Sequence, residues 1–213
     1  MKDRSDRVTD SGSVSLENLQ GPTIDRRTTI KLRSGAGIAG LAGCGGNEST
    51  GESIEDHPAA TDLEAQPRQG DLGGHVVLAF EDPSCERCAA FHENTVPEMR
   101  SNLVDPGLGA YVVRTYPVIF PWGEPATYAL EATFDRDEDA FWSLLEHYFA
   151  RRGQFNQDNV LRLTAEYLDS ETDLDGGQIA ADAENRTYEE QVQADIQAAE
   201  DAGLPDGVVN VVP

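Results

Sequence analysis

At 213 residues the chain has room for one ordinary domain and some additional segments. Hydrophobic residues make up 38% and the formal net charge is −23; beyond residue 44, nine basic side chains, all arginine, stand against 34 acidic ones. Such a surface repels phosphate backbones and excludes nucleic acid as a partner.

The opening residues 1–25 are polar and without apolar period, and read as disordered. Arg26 and Arg27 then precede a mildly apolar run, SGAGIAGLAG (34–43), that stops at Cys44. Paired arginines, a short apolar region and small residues before a cysteine have the order of an export signal. The run is too short and too rich in glycine to cross a bilayer as a helix. Leu41-Ala42-Gly43-Cys44 resembles a lipobox, in which the cysteine is lipidated and becomes the new N-terminus. The twin arginines resemble the signal that exports folded proteins. Together they imply a chain held on the outer face of the cell membrane through a lipid on Cys44. Residues 45–70 are rich in Gly, Ser, Glu and Asp and read as a flexible spacer. The abundant acid and missing lysine after residue 44 look like proteins of salt-loving archaea, where hydrated carboxylates keep chains soluble in brine.

The domain is expected over 71–213. HVVLAFE (75–81) is a nearly continuous apolar run of β-formers between glycines and Pro83, as in a parallel strand buried on both faces. Cys88, Phe91, His92 and Val96 follow at helical spacing, with Asp82 or Ser84 available as cap and Pro97 as the break. GAYVVRTYPVI (109–119) is a second β-rich run. Strand, helix and strand in this order predict a right-handed βαβ unit. From about 124 to 203 the pattern is helical. Ala129, Ala132 and Phe134 share one helix, and Phe141, Leu144, Leu145, Tyr148 and Phe149 form an apolar stripe. Val160, Leu163 and Tyr167 mark another helix, and Thr187-Tyr188-Glu189-Glu190 has capping-box spacing for a last helix ending at Gly203. Trp142 and the other aromatics of this region read as core. Residues 207–212 read as a third strand.

Cys85 and Cys88 sit directly after the first strand, at the first turn of a helix. Unpaired amide hydrogens and the macrodipole favour negative charge there, so a thiolate at Cys85 is stabilised. Thiol chemistry runs through the thiolate. A disulfide with only two residues between its cysteines removes little unfolded-chain entropy, so the pair makes a poor staple and a good switch. Cys85 is read as the attacking, more exposed sulfur and Cys88 as the resolving one. Between them, Glu86 should raise the Cys85 pKa and Arg87 lower it, leaving the helix terminus as the main stabiliser and the depression mild. Two other readings stand beside this one. Cys85, Cys88 and His92 could begin a metal site, though zinc needs a fourth ligand. The pair could also be an inert disulfide in a binding module.

Phe80 to Cys88, followed by Phe91 and Pro97, resembles the DsbA-like branch of thioredoxin-fold thiol–disulfide oxidoreductases. The resemblance covers roughly residues 70–213. It implies an α/β fold, thioredoxin-like, with a helical insertion between the second core strand and a cis-proline. Arg114-Thr115-Tyr116-Pro117-Val118 matches the end of that strand, about 124–203 matches the insertion, and Val212-Pro213 falls where the cis-proline would present substrate. The resemblance further implies protein thiols and disulfides as substrates, a redox partner that resets the pair, and no cofactor. Glu86-Arg87 departs from the usual Pro-His or Pro-Tyr dipeptide. Because the sequence stops at Pro213, the last strands and helix of such a fold are expected to be missing, and the chain reads as truncated.

Overall fold

The computed structural model describes residue 54 and residues 57–204. The readings made on Arg26, Arg27, Cys44, the strand at 207–212, Val212 and Pro213 lie outside the described residues.

Three strands form one sheet: β1 (Arg68–Gly70), β2 (His75–Glu81) and β3 (Gly109–Thr115). Their order is β1-β3-β2, with β3 in the middle. β2 runs parallel to β3 in a register from His75 opposite Gly109 to Glu81 opposite Thr115. β1 pairs antiparallel to β3 through Arg68–Val112, Gln69–Tyr111 and Gly70–Ala110. The spacer reading of 45–70 therefore needs correcting over 57–70; residues 45–53, 55 and 56 lie outside the described residues. Turns of 3-10 helix at Pro58–Ala60 and Leu63–Ala65 precede β1, and all described residues belong to one compact unit. Ala59, Ala60 and Leu63 supply the apolar contacts that a polar composition conceals.

Side chains alternate across β3. Tyr111 and Val113 face one apolar cluster, while Ala110 and Val112 face a second. The first cluster lies under α1 (Glu86–Asn94) and the helices α3 (Gly123–Phe134), α4 (Glu138–Arg151) and α5 (Val160–Glu171). The second is covered by the segment 59–63 and by Ala198 and Ala199 of α7 (Glu189–Asp201). Both faces are thus buried, which is why β2 and β3 read as apolar runs rather than alternating ones.

α1 stops at Asn94, and a short helix α2 (Val96–Met99) carries Pro97 in its first turn, where its missing N–H costs nothing. The stripe from Phe141 to Phe149 is buried as expected, and Trp142 packs on Tyr111 with ring centroids 5.7 Å apart. A helix missed in the sequence, α6 (Gly176–Glu184), crosses α5 closely: a Cβ on Gly176 would lie 2.2 Å from the Ala165 carbonyl oxygen. The capping box at Thr187 does not form. α7 starts one residue later, after Tyr188, with no side-chain cap. Its end is as expected, with Gly203 at φ +68° and the Leu204 N–H returning to Ala199 O at 3.0 Å. No helix among the described residues is long and apolar enough to cross a membrane.

Candidate functional site

β2 delivers the chain to a tight turn, Asp82-Pro83-Ser84, closed by the Cys85 N–H on Asp82 O at 2.9 Å. Cys85 follows in extended conformation and is itself the N-cap of α1; its Sγ accepts the backbone N–H of Cys88 at 3.4 Å. Neither Asp82 nor Ser84 caps the helix, contrary to the sequence reading. Their side chains turn instead to the loop after β3. Asp82 Oδ2 accepts the N–H groups of Val118 and Ile119 at 2.8 and 2.7 Å, and Ser84 Oγ accepts that of Phe120 at 3.1 Å. The Ser84 hydroxyl donates in turn to Asp82 Oδ1 at 2.5 Å. The loop so held leaves Val118, Ile119 and Phe120 exposed, with Phe120 lining one cleft together with Ser84 and Glu86.

Both cysteines are free thiols. At 4% and 3% exposure they are buried alike, so exposure does not separate their roles as the sequence reading supposed. Hydrogen bonding does. The Cys85 pKa is lowered to about 6, first by a hydrogen bond from the Cys88 side chain, then by the backbone N–H groups of Cys88 and Arg87, against burial and the Asp82 charge. The Cys88 thiol is pushed far up, because it gives its proton to Cys85 and because it is buried. One sulfur is an anion at neutral pH and the other holds a proton. Glu86 and Arg87 are exposed, and water screens their charges; the largest causes lie in the second cysteine and the main chain. Arg87 contributes through its N–H, and the depression from 9.0 to about 6 is deeper than a mild one.

His92 does not point toward a metal position shared with the cysteines. Its Nε2 lies 3.1 Å from Glu81 Oε1 and 3.1 Å from the Tyr111 hydroxyl, and Tyr111 donates a short hydrogen bond to Glu81 Oε1. Among the described residues no three His, Cys, Asp or Glu side chains converge on a metal position. Sequence reasoning missed Glu81 and Tyr111 as partners. The available signal was an acid ending an otherwise apolar strand.

A second polar cluster joins β3 to the insertion. Arg114 is 2% exposed and pairs through Nη1 with Asp195 Oδ1 at 2.6 Å. Asp195 Oδ2 also accepts the Thr115 N–H at 2.8 Å. Glu131 reaches the Thr115 hydroxyl at 3.3 Å, and burial, then the Asp195 charge, push its pKa up to about 8.

The thioredoxin family model matches residues 64–209. The chain belongs to the thioredoxin family. No curated protein matches the sequence significantly. Among solved structures, BdbD from Bacillus subtilis in its oxidised form superposes with a TM-score of 0.64 at 20% identity, over 70% of this chain and 82% of that one. The thiol-disulfide exchange protein alpha-DsbA2 from Wolbachia pipientis gives 0.57 at 18% identity, over 72% and 78%. Chlamydia trachomatis DsbA gives 0.56 at 16% identity, over 70% and 80%. These likenesses bear out the expected fold, a thioredoxin-like α/β domain with a helical insertion.

Proposed function

We propose that the chain is an extracytoplasmic thiol–disulfide oxidoreductase that exchanges disulfides with protein substrates through Cys85 and Cys88. The observation that carries the reading is the N-cap position of Cys85, whose sulfur faces the Cys88 N–H and thiol. In the oxidised state a substrate thiolate attacks the Cys85–Cys88 disulfide at Cys85, forming a mixed disulfide and releasing the Cys88 sulfur with the electron pair. A second substrate thiolate then attacks the substrate sulfur and expels Cys85, leaving the substrate oxidised and the enzyme reduced. The reverse order of steps reduces a substrate. The apolar strip Val118-Ile119-Phe120 suits unfolded protein chains as partners, and a second redox protein resets the pair. The similar Wolbachia protein is a thiol-disulfide exchange protein, which supports the same chemistry.

Export on Arg26 and Arg27, lipid anchoring at Cys44, and presentation of substrate by Val212 and Pro213 complete the reading, in a surface of the salt-adapted type. The Cys85→Ser variant should lose insulin reduction or thiol oxidation; unchanged activity would remove the assignment. The potential of the couple decides direction: near about −120 mV it oxidises, and near about −270 mV it reduces. Mass spectrometry of membranes should find a lipid-modified Cys44 as N-terminus, and an intact leader on cytosolic protein would end the anchoring claim.

A further inference from the structure

A cleft of about 610 Å³ opens at the active turn, and Ser84 and Glu86, the two chain neighbours of Cys85, both line it. A volume of that order suits a small molecule. Trp122 and Phe155 give it a buried aromatic floor, with ring centroids 5.1 Å apart, and Phe120 stands exposed at its edge.

Charge sets this cleft apart from the rest of the surface. Beyond residue 44 the chain carries 34 acidic side chains against nine arginines. Among the described residues that line the cleft, one carboxylate, Glu86, stands with one guanidinium, Arg152. Glu86 is the first residue of α1 and is exposed. Arg152 directly follows α4, is half-buried, and donates through Nη1 to Phe149 O at 3.2 Å. Helix dipoles account for an acid at the start of α1 and a base at the end of α4. They do not account for two opposite charges that line one cleft and stay apart. Neither Glu86 nor Arg152 forms an ion pair, with the other or with any other described residue. Two unpaired groups of opposite sign beside an apolar floor complement a ligand that carries one charge of each sign. A cysteine inside a protein chain carries neither charge, because its amino and carboxyl groups are tied up as amides. A free amino acid carries both.

We propose that this cleft binds a small disulfide bearing an α-ammonium and an α-carboxylate beside its sulfur, the class to which cystine belongs, with Glu86 taking the ammonium and Arg152 the carboxylate. The proposal rests on the oxidoreductase reading, and it adds a low-mass oxidant to the redox protein that resets the pair. In the first step the Cys85 thiolate attacks one sulfur of the bound disulfide. A bond from Cys85 to that sulfur forms, the small disulfide breaks, and one amino-acid thiolate leaves with the electron pair. The Cys88 sulfur then attacks Cys85. The Cys85–Cys88 bond forms, the second amino-acid thiolate leaves, and the proton of Cys88 ends on a released thiolate. The small disulfide is reduced to two thiols and the cysteine pair is oxidised. Glu86 and Arg152 touch the ligand away from the reacting sulfurs and act as specificity residues.

The test mixes the reduced full-length protein with four disulfides in excess. They are cystine, its N,N′-diacetyl derivative without the ammonium, cystamine without the carboxylate, and the N,N′-diacetyl diamide without either, which stands for the disulfide of a protein chain. Acid quench and peptide mapping follow the Cys85–Cys88 disulfide, which keeps Cys44 out of the count. Each rate is divided by the rate of the same disulfide with free mercaptoethanol, which removes its intrinsic reactivity. Cystine should saturate and should exceed the doubly blocked disulfide by about 10-fold or more, with the singly charged ones between. Arg152→Gln should cut the ratio of cystine to cystamine by about 5-fold, and Glu86→Gln the ratio of cystine to the diacetyl derivative by a similar factor. A merely structural role would move all four rates together and leave the ratios as they are. Ratios unmoved in the variants overturn the proposal. Equal normalised rates for cystine and the doubly blocked disulfide in the wild type overturn it as well, whether or not either variant folds. Absence of the Cys85–Cys88 disulfide with every reagent would instead strike at the function reading itself.

Discussion

The Cys85 sulfur accepts the backbone N–H of Cys88 at 3.4 Å, which makes the reactive side chain the cap of its own helix. The same bond that closes the first turn of α1 stabilises the thiolate, so fold and reactivity are tied at one atom. With the Cys85 pKa at about 6, alkylation of the reduced protein by iodoacetamide should show a midpoint near pH 6 and label Cys85 before Cys88. Peptide mapping after brief labelling checks both points. A midpoint close to 9 would show that the cap does not hold the anion.

The lowered Cys85 pKa also couples to stability. The folded chain releases this proton at about pH 6, whereas the unfolded thiol releases it near its ordinary value of 9.0. The contribution is therefore complete above about pH 9 and lost as pH falls through 6. Cys88, raised in the folded state, works against it only above the unfolded value. The difference in Tm between reduced wild type and Cys85→Ser should thus grow in favour of the wild type from pH 6 to 9. Melting curves at these two limits suffice.

Asp82 holds two main-chain N–H groups of the 118–119 loop while its charge opposes the Cys85 thiolate. Asp82→Ala should cost about 2–4 kcal/mol, because each buried hydrogen bond to a charged acceptor contributes about 1.5–3 kcal/mol and the loop relaxes in part. Chemical denaturation measures that loss. With the repelling charge removed, the iodoacetamide midpoint of the variant should move below the wild-type value. An upward movement would mean that loop placement, and not charge, governs the site.

Glu131 carries a raised pKa of about 8 because it is buried next to Asp195 and a single arginine. The unfolded chain ionises this group near 4.5. Its contribution is fully present below 4.5 and lost as pH rises through 8. Glu131→Gln removes the penalty, so the variant should gain Tm relative to wild type between pH 5 and 9. In the same cluster, Arg114→Met leaves Asp195 buried without its partner and should cost about 3–5 kcal/mol. Equal losses at exposed Arg162, paired with Glu166 on the surface of α5, would contradict the role of burial.

In the insertion, Gly176→Ala should destabilise by about 1–3 kcal/mol without touching Cys85 alkylation. The added Cβ would meet main-chain atoms of Ala165, which cannot step aside without moving α5 against α6. Denaturation and alkylation, measured on one sample, separate the two effects.

Much of this was written in local pattern. β2 was visible with its bounds, His75–Glu81, because a strand buried on both faces carries a nearly continuous run of apolar β-formers, here Val76–Phe80. The helix break just before Pro97, the stripe Phe141–Phe149 and the end at Gly203 follow from rules that act within one or two turns. The thiol pair was legible for the same reason, since helix termini activate groups through their nearest peptide units. What the sequence could not rank were competing partners. Asp82 and Ser84 had the chemistry to cap α1, yet loop N–H groups more than thirty residues away claimed them. The tuning expected of Glu86 and Arg87 passed to buried groups because exposed charges are screened. His92 and Glu81, 11 residues apart, and Arg114 and Asp195, 81 apart, met only because β2 and β3 pack under α1 and α7. A buried donor or acceptor takes whichever partner the packing brings within about 3 Å, and that choice is made by the whole fold and not by spacing along the chain.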